Sequence, residues 1–216
     1  MVDAQGAATV ENHTRRRLAP AERMPQILEA ALGEFTARGY AGASMAAVAL
    51  RAGIAKGLIY HYFPSKAALF RATVQARIQP VLEEAERLVA EFRGPACDLL
   101  RLLLALAYAR VAAAPQERAL FRLIVTEAER FPELANLYQE DVLARAFRIV
   151  ATVLRAGAES GEFRAEVGTT PGLAETVIAP VITASVWQMI LGPAAPDVAS
   201  LQAAQLDLLV HGLTKR

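Results

Sequence analysis

The 216-residue chain is poor in the residues that carry most protein chemistry: one cysteine (Cys97), three histidines and one tryptophan. A lone cysteine closes no internal disulfide, so no disulfide framework is expected, and the composition fits a reducing cytoplasm. His13, His61 and His211 lie far apart, with no Glu-x-x-His or His-Glu-x-x-His spacing, and neither a phosphate loop nor a nucleophile elbow is found. The expectation is a protein without metal or cofactor that is not an enzyme. Aromatics make up 6% of the chain, and alternating β-branched runs bounded by turns are hard to find. Uninterrupted apolar runs of membrane-spanning length are also missing. The nearest, Leu173–Leu191, contains Glu175, Pro180 and Gln188 and reads as a buried helix. The polar N-terminus lacks the apolar core of a signal peptide, so a cytoplasmic protein with no membrane partner is expected.

What the chain does have is helix formers. It is 54% apolar and dominated by alanine, leucine, arginine and glutamate, which lose little on entering a helix. The net charge of +1 is unevenly spread: residues 1–77 carry ten basic and five acidic side chains, whereas residues 78–216 carry thirteen and seventeen. A basic head on a mildly acidic body suits a DNA reader with a second domain that does not touch DNA. An all-α fold is expected.

Residues 1–20 read as a disordered basic arm, with Arg15, Arg16 and Arg17 as candidates to follow a DNA groove. Ile27, Leu28, Ala31, Leu32 and Phe35 then recur at helical spacing between Glu22 and Arg38, and Gly39 suits a left-handed cap. After a turn at residues 40–43, Ser44 is placed to cap a short helix, Met45–Arg51. Gly53 eases a tight turn before a second short helix, Lys56–Tyr62, and Ser65 caps the next. Further helices are expected near 65–92, 95–113, 116–129, 132–158, 170–191 and 197–213. Pro80 and Pro180 fall inside helical patterns and are expected to kink them or shift a boundary.

Two short helices across a glycine turn, behind a longer supporting helix, form a helix-turn-helix pattern over residues 21–70. The second must pack one face inward and offer the other to the major groove. Ile59 and Phe63, four apart, face inward with Ile54, Val48 and Leu28. Gly57, Leu58 and His61 fall outward, with Tyr60 and Tyr62 flanking them. Lys56 and Lys66 bracket the unit with positive charge near helix N-termini.

The run from Ala52 to Lys66, AGIAKGLIYHYFPSK, closely resembles the signature of TetR-family regulators, as do Ile27–Ala31, Phe35, Gly39-Tyr40 and Ser44-Met45 at their spacing. The resemblance covers about residues 22–70. It implies a three-helix DNA-binding head, a helical ligand-binding body and a homodimer on a palindromic operator. It also implies phosphate contacts from Ser44 and Lys66, a recognition helix opened by Lys56, Gly57 and Leu58, and backbone or base contacts from Tyr60, His61 and Tyr62. The chain departs from the family pattern at Ala55, usually serine, and Leu58, usually threonine. The first removes a capping hydroxyl; the second exchanges a hydrogen-bonding side chain for one that suits a thymine methyl.

Residues 71–216 are expected to form the ligand-binding and dimerisation domain. The leucine-rich helix Leu99–Ala113 is apolar on most sides and reads as buried. Tyr108, Phe121, Phe147, Trp187 and Met189 are the candidate pocket residues, combining apolar bulk with occasional polar tips, and they favour an apolar effector. Leu173, Val177, Val181, Leu201, Leu208 and Leu209 are the candidate dimer-interface residues, on the two last helices. Pro80, on the helix joining head to body, is a candidate hinge. The expected function is a repressor released from its operator by a small effector. An activator or a ligand-independent regulator of the same fold is the alternative, and a helical-bundle enzyme the remotest.

Overall fold

The computed structural model describes residues 20–112 and 115–215; Arg15, Arg16 and Arg17 of the expected arm lie outside them. Ten α-helices are described, with no β-strand among the described residues: α1 Pro20–Gly42, α2 Met45–Arg51, α3 Lys56–Tyr62, α4 Lys66–Glu91, α5 Ala96–Ala107, α6 Pro115–Glu127, α7 Pro132–Leu137, α8 Ala144–Glu159, α9 Leu173–Leu191 and α10 Val198–Leu213. Two π-helical segments interrupt the pattern. Tyr108–Ala112 extends α5, and Tyr138–Leu143 welds α7 to α8.

The ends of these helices follow the local chemistry. The Ser44 hydroxyl accepts from the Ala47 N–H at 3.1 Å, and that of Ser65 accepts from Ala68 N–H at the same distance. Each satisfies one of the donors a helix start leaves open. Pro132 occupies the first turn of α7, where a missing N–H costs nothing.

Several expectations need correction. Gly39 does not end α1 in a left-handed cap: its backbone sits at φ 70°, ψ 170°, and helix resumes through Tyr40–Gly42. The expected turn at 40–43 is therefore a kinked last turn of helix. Of the two outcomes expected at Pro80 and Pro180, a kink or a shifted boundary, the second does not occur, since α4 and α9 run on past both. α5 is buried on one side only, through Leu99, Leu100, Leu103 and Leu104, while Leu102 is exposed. Nor is α9 a buried helix, as only 22% of its most apolar stretch is buried.

Two apolar clusters organise the molecule. The first gathers Ile27, Phe35, Tyr40, Val48, Ile59 and Phe70 from α1–α4. It continues into Leu120, Leu123 and Ile124 of α6 and Leu134 of α7, so the head's core is shared with body helices. The second joins α4, α5, α8, α9 and α10 through residues such as Leu104, Tyr108, Val153, Val177 and Leu213. Ile78 on α4 packs against both. Gly157 marks a close approach within the second: a Cβ there would meet the Phe163 ring at 2.2 Å.

Candidate functional site

In the helix-turn-helix, Ile59 is wholly buried and Phe63 nearly so, with Val48 beneath them and Ile54 and Leu28 packed at the edge. With that side anchored, α3 turns Lys56, Gly57, Tyr60 and His61 to solvent. Tyr60 is 48% exposed, so it belongs to the outer face and not to the core. Leu58 is half-buried, less outward than the spacing suggested, and Tyr62 is half-buried against the core. Its ring meets His61 edge-on at 5.8 Å. Ala55 precedes α3 with no side-chain cap, as its missing hydroxyl requires. Ser44 is exposed beside its cap.

Lys66 is placed differently from the expectation. Its ammonium donates to the carbonyls of Tyr40 at 2.7 Å, Ala43 at 3.2 Å and Ala41 at 3.3 Å, and lies 4.6 Å from the Tyr40 ring centroid. An ammonium has three protons, and all three are taken up by the kinked end of α1. In this structure Lys66 secures that end.

The same end is held from the body side. The Glu127 carboxylate of α6 accepts from the N–H groups of Tyr40 at 2.6 Å and Ala41 at 2.9 Å. Gly39 makes room for this: a Cβ there would stand 2.7 Å from Glu127 Oε1. The Tyr40 hydroxyl donates to Glu133 at 3.1 Å. Burial, then the hydrogen bond and charge of Glu133, then the charge of Glu127 push its pKa up to about 12. Head and α6 are thus joined by charge-assisted bonds over a shared apolar core.

Behind that joint, α4, α5, α6, α8, α9 and the two π-helical segments enclose a cavity of about 130 Å³. Among the described residues, its lining is apolar throughout apart from Arg77, Arg110, Glu117 and Tyr138. Tyr138, on the second π segment, packs its ring against Phe121 at 5.6 Å, and burial pushes its hydroxyl up to about 12. π-Helical turns are frequent at functional sites, and here both border one cavity.

Of the expected pocket residues, only Phe121 lines this cavity. Tyr108 is buried in the second core, its hydroxyl donating to Gln205 Oε1 at 2.7 Å, while Gln205 donates to the Val177 carbonyl at 2.6 Å. Phe147 borders a separate surface groove, Trp187 is 38% exposed, and Met189 is half-buried away from the cavity. The residues overlooked are aliphatic, such as Ile78, Val81, Leu103 and Ile182, together with Arg77 and Tyr138. Nothing in a single sequence separates an aliphatic cavity wall from a filled core.

The expected interface residues also divide. Val177 and Val181 are buried inside the subunit, Val181 in the cavity wall, so neither can meet a partner. Leu173, Leu201 and Leu209 are half-buried, whereas Leu208 is 73% exposed. Ile190, at 72%, and Leu191 extend the apolar surface along the end of α9.

A helix-turn-helix with an open recognition face, joined to a hollow helical body, is the architecture of a DNA-binding regulator with a sensor domain. Residues 27–73 match the family described as bacterial regulatory proteins, tetR family, and residues 100–207 match the AefR-like transcriptional repressor C-terminal domain. The chain belongs to the TetR family of transcriptional regulators. It is 26% identical over 190 residues to the fatty acid metabolism regulator protein of Bacillus subtilis, covering 87% of this chain and 94% of that one. Its fold is similar to a putative transcriptional regulator of Pseudomonas aeruginosa (TM-score 0.74, 22% identity, 91% and 94% of the two chains). It is also similar to FadR of B. subtilis, solved in complex with stearoyl-CoA (TM-score 0.65, 24% identity, 87% and 98%).

Proposed function

We propose that the protein is a repressor that binds a palindromic operator as a homodimer in the bacterial cytoplasm and is released by an apolar, chain-like effector. The observation that carries the reading is the apolar cavity walled by α4 and α6, because those two helices also hold the head. α4 enters the head directly at Lys66, and α6 grips it through Glu127. The cavity is smaller than the roughly 300–1,000 Å³ of ordinary ligand sites, so an occupant must part its walls. Ligand and DNA then favour different wall positions, which is a coupling free energy between two sites.

Residues 21–70 act as the DNA-binding domain in this reading, with Ser44, Lys56, Gly57, Leu58, Tyr60, His61 and Tyr62 at the duplex. Residues 71–216 bind ligand and pair the subunits. The exposed apolar ends of α9 and α10 cover each other across the dimer, which must set two recognition helices about 34–36 Å apart. The relative found with stearoyl-CoA supports a long acyl compound as the effector class.

The test is selection of a duplex from a random pool, followed by fluorescence anisotropy with stearoyl-CoA added. A palindromic site, bound less tightly as salt rises and released by the acyl compound, is the expected result. A protein that selects no sequence, or holds its site unchanged under saturating acyl compound, defeats the reading.

A further inference from the structure

The cavity's few charged side chains are not scattered. Arg77 lines it from α4, and its guanidinium pairs with Glu29 of α1, in the head. Arg110 lines it from the first π segment and pairs with Glu84 at 3.9 Å. Glu84 stands seven residues beyond Arg77, hence on the same face of α4 and about 10 Å along it. Two arginine side chains therefore contribute to the wall of an otherwise apolar cavity, and the guanidinium of each is paired with a glutamate that is itself well exposed, 64% for Glu29 and 40% for Glu84. Among the described residues, Glu117 is the one acidic side chain in the lining.

We propose that the effector is an amphipath whose anionic group takes Arg77 away from Glu29, so that binding cuts an ion pair between cavity wall and head. This rests on the cavity being the effector site. An exposed carboxylate returns to water at little cost, so the exchange is close to balanced for the protein. An anion on an apolar chain is brought to the guanidinium by burial of that chain, and it binds Arg77 in a less hydrated setting than Glu29 does. A cationic amphipath meets two guanidinium groups against one carboxylate, and a neutral one leaves the Arg77–Glu29 pair in place. The pair's modest worth bounds the effect: breaking it changes operator affinity by at most about five-fold, on top of what wall displacement achieves.

Four twelve-carbon probes separate these terms: laurate, lauroyl-CoA, dodecanol and methyl laurate. Each is titrated into the full chain by calorimetry and into its complex with the selected duplex by anisotropy. Laurate and lauroyl-CoA should release DNA up to about five-fold more effectively than the two neutral probes at equal occupancy. An advantage confined to lauroyl-CoA supports the exchange and assigns the anion to phosphate. R77Q should erase the advantage and R77K retain part of it. E29Q should weaken operator binding without any ligand and leave anionic and neutral probes alike in release. Equal release by laurate, lauroyl-CoA and dodecanol from the wild-type chain overturns the exchange while leaving the cavity reading intact. An anionic advantage that survives E29Q also overturns it. Failure of all four probes to bind overturns both.

Discussion

Both α3 and α9 turn one face to solvent, and the chemistry of the two faces is opposite. α3 buries Ile59 and presents Lys56, Gly57, Tyr60 and His61. α9 buries Ala174, Val177, Val181, Ala184 and Ser185 and presents Trp187, Ile190 and Leu191. A polar, partly cationic face remains hydrated until a charged partner arrives, as the groove of a duplex requires. A large apolar face in water lacks only a partner of the same kind, and contiguous patches of this sort mark interaction sites. The difference teaches that partner class is written in what a helix leaves exposed after packing, not in its overall composition.

The hardest blow to this comparison falls on the α9 side. Ile190→Asp combined with Leu208→Asp should convert the protein to folded monomers in analytical ultracentrifugation, since both side chains are exposed on the single subunit, with the melting temperature lowered by the loss of association. Operator affinity should drop on the order of 10²–10⁴-fold as two linked heads become separate. Retained dimers would show that the apolar face serves another purpose. On the α3 side, Ile59→Ala removes a wholly buried anchor and should cost about 2–5 kcal/mol of stability in urea unfolding. Glu127→Ala takes a charged acceptor from two backbone N–H groups and should cost about 1.5–3 kcal/mol. If the joint also transmits the ligand signal, this variant loses part of its ligand-induced release.

Smaller effects sharpen the picture. Ala55→Ser supplies the missing cap of α3 and should add about 1 kcal/mol of stability. Lys56→Ala should leave the melting temperature alone, weaken all sequences about equally, and reduce the slope of log affinity against log salt by about one. A loss confined to one operator position would instead make Lys56 a base reader.

The head was more legible than the body for a physical reason. Capping by Ser44 and Ser65, the Gly53 turn and the Ile59/Phe63 spacing are local features, so residue type and separation settle them. The contacts of Lys66 within the chain were not legible because its partners, the carbonyls of Tyr40, Ala41 and Ala43, exist only once α1 kinks at Gly39. In the body, aromatic bulk was a poor guide: Tyr108 has a hydrogen-bond partner waiting on α10, and the cavity is walled mainly by aliphatic residues. The split between buried Val177 and exposed Leu208 depends on the rotation of each helix about its axis, which periodicity leaves open on a helix apolar all round.

The single cysteine, the scattered histidines and the helical periodicity by themselves determined an all-α chain with a helix-turn-helix head and no visible metal or nucleophile motif. Those are properties of composition and short-range spacing. The cavity, the Glu127 clamp, the Arg77–Glu29 pair and the exposed ends of α9 and α10 were decided by tertiary packing alone. Each depends on which faces of distant helices meet, and the same apolar side chain fills a core, walls a cavity or awaits a partner according to that meeting.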